Sequence, residues 1–276
     1  MKWLHFILSH SIFIAVCAVA MCLQTTTLLQ IDTDKWLLGF VFFATLFSYN
    51  AYWLLSKRVL GAVFYQLLFL KKEWRKIVLL AIYAAAVLIC FIQSQLTFTL
   101  IWPALVLNIL YIIPLLPVKS LSFAKRLGFL KTILLAISWA YVTAFLPLLR
   151  PAFLLTYTEI AVLINRFLFM LVLCVLFDSR DISVDKVRGL HSIATDLKPR
   201  QLQFLIIVLF ILLAASTYLL QYFGMDLLQV AALQLAGLAT LYLYYLSNKK
   251  RGYFFYYFFV DGLMLFSAAA TYVASI

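Results

Sequence analysis

Charge is what this sequence has least of. Charged residues make up 12% of its 276 positions and hydrophobic ones 66%, where a soluble domain runs nearer a quarter charged and half apolar. The mean hydropathy is +1.06. This balance excludes an ordinary soluble domain and makes lipid the natural solvent. The eight Gly and six Pro are too few for the broken helix pairs common at transporter sites, so a small transporter ranks last among the functions considered. The four cysteines, Cys17, Cys22, Cys90 and Cys174, all lie in apolar runs without a CxxC pair. They read as small buried hydrophobes and not as a metal or redox centre. No repeat of 20–50 residues and no long polar stretch interrupts the chain, so it reads as one membrane domain over 1–276.

What is present is a series of apolar runs long enough to cross a bilayer as helix, which takes about 20 residues. Nine are expected, at roughly 3–23, 36–56, 74–93, 96–116, 129–149, 160–177, 201–221, 225–247 and 253–275. The first begins the chain, and Ala18-Val19-Ala20 loosely resembles a signal-peptidase site. Its length and the spans that follow favour a retained helix.

The basic residues alternate between connections. Lys57, Arg58, Lys71, Lys72, Arg75 and Lys76 follow span two; Lys119, Lys125, Arg126 and Lys131 follow span four. Arg180, Lys186, Arg188, Lys198 and Arg200 follow span six, and Lys249, Lys250 and Arg251 follow span eight, while the other connections hold only Lys35 and Arg150. This is the pattern of nine spans with a cytoplasmic N-terminus. The net charge of +12 is then topology and contact with anionic lipid, and nucleic acid is not expected as a partner.

Two charges fall inside spans, Arg166 in LINRFLFML and Asp261 in FFVDGLML. Each needs a partner at membrane depth. The expectation is that they pair with each other or with polar groups of a central cavity; snorkelling of Arg166 to the outer interface is the plain alternative. Asn50, Asn108 and Gln234 are further polar residues that could hydrogen-bond between helices. The 25 Phe, 16 Tyr and 6 Trp either face lipid and its interfaces or wall a tunnel for an apolar chain.

Three of the ten acids stand together at the end of span six, in FDSRDISVDKVRGL. Asp178, Asp181 and Asp185 are spaced i, i+3, i+7, which puts them on one helix face. Carboxylates so arranged repel unless a cation joins them, and hard oxygen ligands suit Mg²⁺ together with substrate phosphate. Lys186 and Arg188 follow closely and could contact phosphate oxygens. The alternative is a solvated juxtamembrane segment of mixed charge.

The segment DSRDISVDKVRGLHSIATDL resembles the second Asp-rich motif of the UbiA superfamily of intramembrane prenyltransferases. Asp178, Asp181, Asp185 and Gly189 match; Ser192 and Ala194 stand where Thr and Pro are usual. The stretch YIIPLLPVKSLSFAKRLGFLKTI resembles the family's connection between helices four and five, with Tyr111, Pro114, Lys119 and Lys131 as counterparts. The resemblance implies an all-α bundle of nine helices with the N-terminus cytoplasmic. It also implies Mg²⁺ on Asp178, Asp181 and Asp185, and an isoprenyl diphosphate or other lipid as ligand. Lys119, Lys131, Lys186 and Arg188 would contact the diphosphate, whose ionisation would leave an allylic cation for an acceptor. The family's first Asp-rich motif has no counterpart. In NAYWLLSKR only Asn50 matches, and Ala51, Leu54 and Arg58 replace the acids. Arg58 would stand as a fixed positive charge in place of a second metal, with Asn50 as the remnant of that half-site. A divergent prenyltransferase in a bacterial inner membrane is therefore expected, its acidic site on the cytoplasmic side. The alternative is an inactive lipid-binding or scaffold protein on the same fold.

Overall fold

A computed structural model describes residues 2–60, 66–94, 96–112, 128–148, 155–188, 191–249 and 251–276. The elements among them are helical. The helices are α1 (Lys2–Ser9), α2 (Ile12–Leu28), α3 (Lys35–Leu60), α4 (Gln66–Gln93), α5 (Phe98–Ile112) and α6 (Gly128–Ala140). They continue with α7 (Tyr157–Arg188), α8 (Ile193–Asp196), α9 (Pro199–Tyr222), α10 (Leu227–Ser247) and α11 (Asp261–Val273). A π-helical stretch, Tyr141–Phe145, extends α6, and another, Phe255–Val260, leads into α11.

Among the described residues seven helices are long and apolar enough to cross a membrane, and α1 with α2 makes an eighth if the bent pair counts as one span. The remaining expected span, on α5, has 15 residues as helix. The first span is not the straight helix expected. It bends by 69° between α1 and α2, where Ser11 adopts a left-handed φ of 61°. A residue in that conformation ends a helix, as a C-terminal cap commonly does. No Pro or Gly marks the break.

Most sequential helices pack side by side, and α11 returns against α2 to close the bundle. In lipid the hydrophobic effect does little to join helices, so close approach and polar contacts must do it. The buried face of α2 is accordingly small: Ala15, Cys17, Ala18 and Cys22 are fully buried. Helix α7 lies deepest. Its run from Phe169 to Leu176 is buried throughout, and α6, α9 and α8 pack around it. The helix does not stop where the membrane run ends; it continues unbroken through Asp178, Asp181 and Asp185 to Arg188. This unbroken helix sets the three acids on one face beyond its apolar run.

Candidate functional site

Asp178 is held from the neighbouring helix. The Thr132 hydroxyl of α6 donates to its Oδ2 at 2.5 Å. Lys131, one residue earlier, is a charged neighbour of Asp178, as are Asp181 and Asp185. The Lys131 ammonium also lies 5.6 Å from the centre of the Tyr111 ring on α5, and Tyr111 stacks on Tyr52 of α3 with ring centres 5.5 Å apart. Four helices thus meet at one end of the bundle around a carboxylate, an ammonium and two phenols. Tyr49, one turn below Tyr52, meets Trp139 edge to face at 6.3 Å.

Asp181 is engaged differently. Arg180 Nε and Nη2 each donate to one of its oxygens at 2.7 Å, a two-point ion pair. Adjacent helical residues point about 100° apart, so such a pair forms only if the longer side chain folds back. An aromatic cage holds it there. The guanidinium carbon is 4.9 Å from the Phe177 ring, 5.0 Å from Tyr256 and 4.9 Å from Tyr257, and the Tyr257 hydroxyl lies 3.4 Å from Nη2. Tyr256 and Tyr257 are consecutive in the π-helical stretch, whose wider turn lets both rings address one cation. Tyr253, stacked on Tyr257 at 4.2 Å, has its phenol raised above the ordinary value by burial, and Tyr257 and Asp261 add to this.

Asp185 is buried and Lys186 exposed. Lys119 lies outside the described residues, as do the side chains of Arg58 and Arg188. Asn50 is not at the acidic cluster's service in the way expected. Its Nδ2 donates to Leu46 O at 2.8 Å and to His10 O at 3.1 Å, which caps the broken end of α1.

The intramembrane pair also needs correction. Arg166 is buried, but its bonds go to neutral acceptors. Nη1 donates to Met21 O at 2.9 Å and Thr143 Oγ1 at 3.3 Å; Nη2 donates to Gln24 Oε1 at 2.8 Å and Thr25 Oγ1 at 3.1 Å. Gln24 passes the network on through Nε2 to Ser267 Oγ at 2.8 Å and Thr271 Oγ1 at 3.0 Å. The π-helical stretch of α6 supplies Thr143, whose carbonyl also accepts from Thr25 at 2.8 Å. Asp261 lies elsewhere on α11, and its charged neighbour is Arg180. The two expected partners therefore belong to different polar layers. The polar run Gln24-Thr25-Thr26-Thr27 at the end of span one was the sequence signal for the Arg166 layer; the aromatic run 253–259 was the one for the Arg180 cage.

The fit of the cluster to a cation is partial. Among the described residues no three His, Cys, Asp or Glu side chains are grouped closely enough to hold a metal ion. Asp181 has both oxygens on Arg180. Asp178 and Asp185 are hard carboxylate donors, and Mg²⁺ ordinarily takes one or two such ligands with substrate oxygens completing its shell.

No family model matches the sequence, and no curated protein does either. The fold is more informative. It is similar to a solved digeranylgeranylglyceryl phosphate synthase in membranes, with a TM-score of 0.59 and 12% identity over 100% of this chain and 99% of that one. It is also similar to the apo structure of a UbiA homolog from Aeropyrum pernix K1, with a TM-score of 0.62 and 15% identity over 98% and 99% of the two chains. The chain is thus an all-helical membrane protein that carries, from end to end, the fold of a UbiA homolog.

Proposed function

We infer that the protein is an intramembrane prenyltransferase: it takes a prenyl group from an isoprenyl diphosphate and passes it to an acceptor. The observation that carries this reading is the end of α7, where a UbiA-type fold presents Asp178, Asp181 and Asp185 on one helix face beside Lys131. The carbon–oxygen bond to the diphosphate breaks with both electrons leaving on oxygen. The allylic cation is captured by a nucleophilic atom of the acceptor, which then loses a proton. The chain's task is electrostatic, to neutralise charge growing on the departing group. Lys131 does so from α6, and Lys119, Lys186, Arg188 and Arg58 would add to it from the same membrane face. Tyr111 and Tyr52 offer ring faces to an allylic cation. Asp178 would be a carboxylate ligand to Mg²⁺, which when bound would supply further positive charge to the diphosphate. The basic flanks put this end of the bundle in the cytoplasm, with nine spans, α5 the shortest, and the N-terminus on the same side. A bacterial inner membrane fits that arrangement.

The test is binding and turnover with farnesyl or geranylgeranyl diphosphate in detergent, with diphosphate release as the readout. Tight binding that weakens tenfold or more in Asp178→Asn is expected. Binding untouched by Asp178→Asn and Lys131→Gln would overturn the site.

A further inference from the structure

Asp261 opens α11 and is 8% exposed, yet its carboxylate makes no hydrogen bond among the described residues. Other acids of the bundle are supplied with donors. Glu159, buried in α7, takes the N–H and the hydroxyl of Thr156, and Asp178 takes the Thr132 hydroxyl. A buried carboxylate without a donor is costly in a low-dielectric setting. The titratable groups within reach of its charge are Cys17 on α2, Tyr49 on α3, Cys174 and Arg180 on α7, and Tyr253 and Tyr257 ahead of α11. None of them donates to it. Arg180 spends Nε and Nη2 on Asp181, and the Tyr257 hydroxyl accepts from Nη2.

Register sets the level of this carboxylate. Cys174 stands one turn inside Asp178 on α7, and Tyr49 one turn inside Tyr52 on α3, so Asp261 lies about 5 Å inside the acidic end. Ser267 and Thr271, which belong to the Arg166 layer, follow it on α11 by about 9 and 15 Å. Asp261 thus sits between the two polar layers. Its surroundings are aromatic: Tyr49 meets Trp139 edge to face, and Tyr253 stacks on Tyr257. Apolar walls with a single polar anchor select a ligand by one hydrogen bond on an apolar body. Arg180 is already the charged neighbour of Asp261 and would repel an ammonium, so the matching group is a neutral O–H donor.

We propose that Asp261 anchors the acceptor, taking a hydrogen bond from the hydroxyl of an apolar or aromatic alcohol that lies one turn inside the diphosphate. The inference rests on the prenyl-transfer reading above and gives the acceptor a chemical class.

The test measures equilibrium binding to the purified full chain in detergent with two probe pairs. One pair is 1-hexadecanol and its methyl ether; the other is 1-naphthol and 1-methoxynaphthalene. At least one hydroxyl compound is expected to bind tenfold or more tighter than its ether, and the pair that discriminates shows whether the body is aliphatic or aromatic. In Asp261→Leu that preference should fall to within twofold. A preference below twofold in both pairs, or one that survives Asp261→Leu, would overturn the assignment. Photolabelling needs no variant: a diazirine-bearing hexadecanol or naphthol, matched to the discriminating pair, should label Tyr49, Cys174 or Tyr257 and be displaced by the parent alcohol. Displaceable labelling confined to other helices would refute the position. Farnesyl diphosphate binding to the same unmodified protein separates the two claims. Its absence overturns the diphosphate reading while a hydroxyl preference lost in Asp261→Leu still places a ligand at Asp261; its presence without that preference overturns only the role given to Asp261.

Discussion

Replacing Gln24 by Leu tests the polar layer that holds helices α2, α6, α7 and α11 together. Gln24 is 2% exposed and makes three bonds: it accepts from Arg166 at 2.8 Å and donates to Ser267 and Thr271 at 2.8 and 3.0 Å. A hydrogen bond to a charged group is worth about 1.5–3 kcal/mol, and neutral interhelical bonds in membranes average about 0.6 kcal/mol each. Leu keeps the volume, so loss of the three bonds should cost roughly 3–4 kcal/mol. Arg166→Leu removes the buried charge along with its bonds, and in that background the strong bond is already gone. The double variant should therefore fall short of the summed single effects by about 1.5–3 kcal/mol. Titration with sodium dodecyl sulfate in mixed micelles, read by tryptophan fluorescence, gives all four free energies. Additivity within about 0.5 kcal/mol would show that the Gln24–Arg166 bond contributes nothing, and the network reasoning would fail.

Three further predictions concern local geometry. A Cβ at Gly39 would sit 2.9 Å from Cys90 Sγ, so Gly39→Ala should lose about 1–3 kcal/mol; in a Cys90→Ala background the same change should gain about 0.5–1 kcal/mol of helix propensity, a reversal of sign visible in the same titration. Asn50→Asp replaces two donors with a carboxylate facing the carbonyls of His10 and Leu46. It should cost about 1–3 kcal/mol of stability while farnesyl diphosphate affinity stays within twofold. Ser11 is held at φ 61°, so Ser11→Gly should be neutral to about 1 kcal/mol stabilising and Ser11→Val destabilising by at least that much, as thermal unfolding in detergent would report.

The helices were legible because the bilayer imposes a length: the runs at 36–56, 74–93, 160–177 and 201–221 each lie within a single helix of the bundle. The shared face of the three acids was legible too, because i, i+3, i+7 has one meaning on a helix and α7 stays helical through all three. The break at Ser11 was not. A long-range bond, Asn50 to His10 O, meets the chain there, and nothing in Ser9-His10-Ser11 announces it. Of the two expectations for Arg166, the one with Asp261 as its partner does not describe its bonds and the one with polar groups does. Opposite charges in two spans suggest a pair, but a guanidinium has five donors and is satisfied equally well by several carbonyls and hydroxyls. The polar run Gln24-Thr25 supplies them with no carboxylate. Asp181 shares its spacing pattern with Asp178, and only the fold shows that both of its oxygens meet Arg180.

The two polar layers of the bundle differ in a way that bears on function. Around Arg166 each member closes on another: the guanidinium on Gln24, Thr25, Thr143 and Met21, and Gln24 on Ser267 and Thr271. A polar network in lipid that is complete holds helices in register and has nothing left to offer a ligand. Around Asp178 the count does not close. Among the described residues Arg180 retains a buried N–H without an acceptor, buried Asp261 has Arg180 as its charged neighbour, and Asp181 and Asp185 repel Asp178 along α7. Such an arrangement is costly in a low-dielectric setting. Under the diphosphate reading it would become more favourable when a polyanion enters, because the Arg180 N–H would then gain an acceptor. The completed layer holds the helices in register, and the incomplete one, between α7 and the π-helical stretch leading into α11, is where the proposed diphosphate would find a cation still short of an acceptor.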